Sequence, residues 1–199
     1  VMVLIAFERW NDILKLPAPA PSLSIPTAMW HFARGMAFAH FGDKRATETE
    51  QSAWQAVVAK QSPDVVINET NSIGAVLKVE GALLSAAIAR SRRDEKETIN
   101  FLRQAVAAED ALNYSEPPAF YPPVRPLLGR ALLDVKQFPD AEQVFRADLE
   151  RHPRNPRALS GLRDCLKAEN RLYDAAQVDQ QLRDAQSKID KVSTTQDRK

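Results

Sequence analysis

Five side chains stand where a polar site could form: His31, Arg34, Tyr114, Glu116 and Arg125. Glu116 beside Arg34 or Arg125, with an imidazole and a phenol at hand, could make a buried polar cluster that holds a small ligand or serves an enzyme. All five fall in segments that depart from the regular pattern of the rest. The stretch from Asn113 to Pro123 is longer than a helical hairpin needs, and such loops often carry function. The plainer alternative is that Glu116 caps or pairs locally while Pro117 and Pro118 stiffen the crossing. A second arrangement sets His31 against Glu48 or Glu50 across a helix pair, where the two could bind a metal; its alternative is an ordinary interfacial histidine. His152 precedes Pro153 at a helix C-terminus, where a cation complements the helix dipole. Cys165 is the single cysteine, which excludes an internal disulfide; its place on an apolar face predicts a buried, inert thiol. The chain has no phosphate loop, dinucleotide glycine pattern or nucleophile elbow. No catalytic residue, metal ligand or cofactor is therefore assigned.

Bulk properties narrow the class. The 199 residues carry 27 Lys and Arg against 26 Asp and Glu, a net charge of +1. That balance lacks the basic excess which nucleic acid demands. The run Arg146, Arg151, Arg154, Arg157 and Arg163 is interleaved with Asp148, Glu150 and Asp164, so it reads as a solvated face. No apolar run approaches the roughly 20 residues of a membrane span, so no membrane insertion is expected. Val1 to Phe7 is apolar but short, and it lacks the basic flank of a signal peptide. A cytoplasmic location is expected, or a periplasmic one if a leader was removed. The chain starts with Val, which suggests a fragment of something longer. Asn68-Glu69-Thr70 and Asn113-Tyr114-Ser115 match the glycosylation pattern, which is common by chance.

Helical periodicity dominates: apolar residues recur three and four apart, and strict alternation is not sustained. Only 6 Gly stand against 13 Pro, and the prolines cluster between helical stretches. A first segment runs from Val1 to Leu16. After a Pro-rich linker to Pro26, Thr27 caps a helix that Gly42-Asp43 breaks. Further helices are predicted from about Lys44 to Lys60, Ser72 to Ser91 and Glu95 to Leu112, with Val65 to Ile67 as an extended piece. Four short helices follow: Val124 to Val135, Pro139 to Arg151, Pro156 to Glu169 and Leu172 to Lys188.

Two of these hairpins repeat at a spacing of 34. Pro122 pairs with Pro156, Leu128 with Leu162, Leu132 with Leu166, Phe138 with Leu172 and Ala141 with Ala175. A unit of this length is a helix-turn-helix that cannot bury its apolar face alone and so stacks on its neighbours. With Leu128-Gly129, Leu132, Ala141, Phe145 and Pro153, the unit 122–155 resembles the tetratricopeptide repeat. The unit near Ala28 matches through Gly35 and Gly42-Asp43, with its second helix slipped by one residue. The unit near Val79 fits through Ala82, Ala86, Thr98, Leu102 and Ala105. Arg163 replaces Gly in the last, which suggests a capping repeat. Trp10 sits like Phe138 and Leu172, so Val1 to Phe7 would be the back half of a first helix. The phrases Trp30 to Gly35 and Tyr114 to Pro118 are similar to the C-terminal part of long bacterial tetratricopeptide proteins.

This resemblance implies an all-α fold, a right-handed superhelical stack of antiparallel helix pairs. It would be one domain over 1–187: a partial unit at 1–25, units at about 26–61, 72–112, 122–155 and 156–187, then a polar frayed tail at 188–199. The first helix of each pair would line a concave groove. Met29, Phe32, Met36 and His40 would form one strip, and Glu80, Leu83, Ala87 and Arg90 the next. Arg130, Leu133 and Asp134 would form the third, and Arg157, Asp164 and Lys167 the fourth. One end is apolar and the other charged, which suits a peptide or partner helix with a hydrophobic anchor and an acidic flank. The plainer alternative is a solvated face with satellite packing. The expected role is a non-catalytic protein–protein interaction scaffold, with self-association through the N-terminal end as a further expectation.

Overall fold

The chain reverses direction five times through one kind of three-residue turn. A computed structural model describes residues 1–20, 22–67 and 70–196, with side chains as far as 187; Pro21, Asn68, Glu69 and the last three residues lie outside it. At the centre of the turns sit Glu8, Gly42, Arg93, Lys136 and Asn170, all with φ between 54° and 77°. The next residue in each turn donates its backbone N–H five residues back: Arg9 to Leu4, Asp43 to Phe38, Asp94 to Ala89, Gln137 to Leu132 and Arg171 to Leu166, at 2.8 to 3.0 Å. This is the Schellman closure, which satisfies carbonyls that a helix end leaves open. Asp43 and Asp94 then cap the following helix by accepting from the N–H of Ala46 and Glu97. Five residues past each turn centre lie Ile13, Thr47, Thr98, Ala141 and Ala175, all buried.

Only one of the five centres is glycine. A left-handed backbone costs other residues about 1 kcal/mol or more, and Asn tolerates it better than Lys. Lys136→Gly is therefore expected to raise stability by up to about 1 kcal/mol, and Asn170→Gly by less. Chemical denaturation of the two variants checks this; a larger gain at Asn170 would mean that something other than backbone strain governs these turns.

The turns separate ten helices among the described residues: α1 (Met2–Ala6), α2 (Trp10–Lys15), α3 (Ser24–His40), α4 (Lys44–Val58), α5 (Ile73–Ser91), α6 (Glu95–Asp110), α7 (Arg125–Asp134), α8 (Phe138–Arg151), α9 (Pro156–Ala168) and α10 (Leu172–Gln196). Within α1–α6 and within α7–α10, helices adjacent in sequence pack on one another. None is long and apolar enough to cross a membrane. Among the described residues one ladder forms, β1 (Val66–Ile67) against β2 (Asn71–Ser72), antiparallel and pairing Val66 with Ser72. Two boundaries differ from expectation. α3 starts at Ser24 rather than behind a Thr27 cap, and the Thr27 hydroxyl donates to Leu23 O inside the first turn. Pro26 does not stop the helix because first-turn N–H groups have no intrahelical acceptor. At the other end, α10 continues past Lys188 to Gln196.

The helices form two compact units, Val1–Val124 and Arg125–Lys199. In the first unit, Gly35 lets α3 approach α5, since a Cβ there would lie 2.7 Å from Leu84 Cδ2. Phe32 meets Phe120 edge-on at 6.4 Å between ring centres, which ties the long loop down. Asn71 staples the same loop by accepting from Asn113 N–H and donating to Asn113 O. In the second unit, Phe145 on α8 is buried against Gly129 and Gly161. Cys165 donates to Phe138 O, and burial pushes its thiol up to about 11, so it is an inert packing residue. Asp148, also buried, accepts from Asn155 Nδ2 at 2.7 Å and lies 3.2 Å from His152 Nδ1.

Candidate functional site

The buried polar cluster of the first unit centres on Glu50, not Glu116. His31 and Arg34 lie three apart on α3 and therefore share a face. Glu50 projects from α4 onto that face. His31 Nδ1 lies 2.7 Å from Glu50 Oε2, and Arg34 Nε donates to Glu50 Oε1 at 2.7 Å. Both carboxylate oxygens are thus engaged, with a guanidinium supplying the opposing charge. Glu48, two residues earlier, points elsewhere and pairs with Arg92. Of the two acidic partners expected for His31 across the helix pair, Glu50 meets it and Glu48 does not; among the described residues no group of three or more His, Cys, Asp or Glu could hold a metal ion. Arg34 also donates to Leu14 O at 3.3 Å, and Trp30 Nε1 donates to Leu16 O at 3.2 Å. These carbonyls belong to the C-terminal turn of α2 and the residue after it, where intrahelical donors run out. With Arg34 4.5 Å above the Trp30 ring, the cluster fastens α2 to α3 and α4.

Tyr114 and Glu116 take no part in it. The Tyr114 hydroxyl donates to Glu116, and Tyr114 is 82 % exposed. Glu116 is exposed as well, so the expectation of a buried cluster around it is overturned. Pro117 and Pro118 are exposed beside it, and a carboxylate without buried cations stays in water. Arg125 opens α7 in the second unit, half-buried.

The groove strips fare unevenly. Met29 and Met36 are half-buried, and His40 is exposed while stacking on Trp10 at 5.3 Å. Phe32, Glu80 and Leu83 are buried and cannot face a groove. Their place in the core corrects those assignments: the α3 and α5 faces expected to line a groove are packed by neighbouring helices. Ala87 is half-buried and Arg90 exposed. In the second unit Arg130 and Leu133 are half-buried and Asp134 is exposed. Arg157 and Asp164 are half-buried and Lys167 is exposed. The charges there are largely spent on each other. Arg130 pairs with Asp164 at 3.2 Å, Arg163 bridges Asp164 and Asp179, and Asp179 also pairs with Arg183. At the N-terminal end, Val3 and Phe7 are exposed while Ile5 is buried.

A cavity of about 580 Å³ lies among α4, α5 and α6, outside every predicted strip. Its apolar wall comes from Trp54 on α4, Leu77, Gly81 and Ala82 on α5, and Phe101 and Ala108 on α6. Small residues three and four apart along α5 give a shallow face. Gly81 in particular touches the Trp54 ring, since a Cβ there would lie 2.9 Å from Cη2. Trp54 Nε1 donates to the buried Glu80 at 3.0 Å, which fixes the indole as a wall with its polar tip turned away. Burial, opposed by that hydrogen bond, raises the Glu80 carboxyl to about 7. Of the polar lining groups, Gln61 is bonded to Ser24 and to Val57 O, and Ser85 to Gly81 O and Gln51. Lys78 and Gln104 complete the polar part of the lining. The sequence signal for this site was the pairing of Trp54 with a helix rich in Gly and Ala, which periodicity alone reads as core. No protein-family model matches the chain, and no curated protein matches it.

Proposed function

We propose that this chain is a non-catalytic helical-repeat scaffold of tetratricopeptide type that binds a segment of another protein. The observation that carries this reading is the α4–α5–α6 cavity. It has the size of pockets that bury a compact apolar group, with an apolar wall and few polar groups at the rim. It is built on helices held by buried side chains, so little ordering is needed on binding. The Glu50 cluster supports the same reading from the other side: both oxygens of the Glu50 carboxylate are engaged by His31 and Arg34 in holding α3 and α4 together. The polar-pocket alternative loses support because Tyr114 and Glu116 are exposed and bonded to each other.

Panning a displayed peptide library on the folded chain tests the proposal. Selected peptides are expected to share one large apolar residue. Ala82→Trp, which fills the cavity, is expected to weaken them about tenfold or more, as loss of a buried apolar anchor does. Arg130→Glu is expected to leave them unchanged, because Arg130 already pairs with Asp164 in the second unit. Circular dichroism verifies that both variants fold. Peptides that bind the Ala82→Trp variant as tightly as the parent would refute the site.

A further inference from the structure

We infer that the segment taken by the α4–α5–α6 cavity is acidic as well as apolar, with a carboxylate beside its anchor meeting Lys78 and the Gln104 amide. This rests on the peptide-binding reading above and adds the chemistry of the peptide. Thirteen residues line the cavity, and Lys78 is the one charged residue among them. Gln61 and Ser85 have their hydrogen bonds met within the fold. Lys78 and Gln104 are exposed, and neither makes a side-chain hydrogen bond or ion pair among the described residues. They approach from two different helices, α5 and α6, so a bound group can be held from two sides. Both can donate to a carboxylate: an ammonium has three donors and a primary amide two. Glu80 carries the nearest buried carboxyl on α5, but its oxygen faces Trp54 Nε1 and it does not line the cavity. The rim therefore presents a cation with no lining anion to cancel it. Apolar walls beside a lone charge focus its field toward the mouth. A basic segment would be repelled there, and a neutral one would leave the ammonium with water alone.

Three capped nonapeptides test this, alike except that the central Phe is flanked by Glu, Gln or Lys on both sides. Fluorescence polarisation with the intact chain is expected to rank them Glu, then Gln, then Lys. Each step should be roughly two- to fivefold, the scale of exposed charge contacts. Raising the salt to about 0.5 M should compress the ranking, since screening acts on exposed charges. Lys78→Glu should reverse the order, and Gln104→Ala should weaken the acidic peptide alone. Both side chains are exposed, so these variants are expected to fold, which circular dichroism checks. An unchanged ranking in Lys78→Glu, or equal binding of all three peptides that Ala82→Trp abolishes, overturns the acidic preference and leaves the scaffold reading standing. If none of the three binds, or if binding survives Ala82→Trp, the cavity is not the peptide site and both fall together.

Discussion

Truncating Phe145 to Ala is expected to cost about 4 kcal/mol of folding stability, the largest effect of any single change considered for this chain. The ring is 1 % exposed and fills the space between α7 and α9. It can do so because glycine stands on both sides. A Cβ at Gly129 would lie 2.5 Å from the ring, and one at Gly161 would lie 2.1 Å from it. A helical Gly→Ala change ordinarily adds up to about 1 kcal/mol through propensity. At Gly161 the sign should invert, with overpacking costing about 1–3 kcal/mol. The coupling is the diagnostic. In a Phe145→Leu background the added methyl has room, so Gly161→Ala should become nearly neutral. Urea denaturation of the four proteins in that cycle measures it. Additive effects would mean that ring and glycine do not compete for the same volume.

A stability profile against pH should expose Glu80. Its carboxyl is buried, chiefly raised by desolvation from 4.5 to about 7, with the Trp54 hydrogen bond working against that rise. The folded protein therefore holds this proton where the unfolded chain has released it. The favourable contribution is fully present below about pH 4.5 and is lost as pH rises through about 7. The two values differ by about 3 kcal/mol in free energy. Glu80→Gln keeps an acceptor for the Trp54 N–H and has no proton to lose. Compared with this variant, the parent should be similar near pH 4.5 and weaker by about 3 kcal/mol at pH 8. Guanidinium denaturation across that range gives the difference curve. Parallel profiles would show that Glu80 does not titrate in this window.

Much of the local architecture is written in residue spacing. The break at Gly42-Asp43 and the charged turn at Arg92 to Glu95 were readable because a left-handed turn centre followed by an Asp cap satisfies the backbone by itself. The helix cores at Leu128, Leu132, Phe145 and Leu162 were readable because burial on one face imposes a period of 3.6. Pro26 was misleading because the same residue stops a helix in its interior and suits its first turn.

Which polar groups meet could not be read that way. Glu48 and Glu50 are two residues apart, so they point to different sides of α4, and either could have faced His31. The packing of α3 against α4 chose Glu50 and left Glu48 to Arg92. Glu116 looked like a partner for Arg34 because nothing in a linear chain says that a loop tip faces outward. The cavity beside Trp54 belongs to three helices at once, and its volume depends on how far apart Gly81, Ala82 and Phe101 are held. The sequence by itself determined the helices, their turns and their apolar faces, because those follow from interactions within a few residues. Only the tertiary structure decided that Glu50 is the hub, that Glu80 is buried and that a cavity opens along α5, because each depends on distances between segments far apart in the chain.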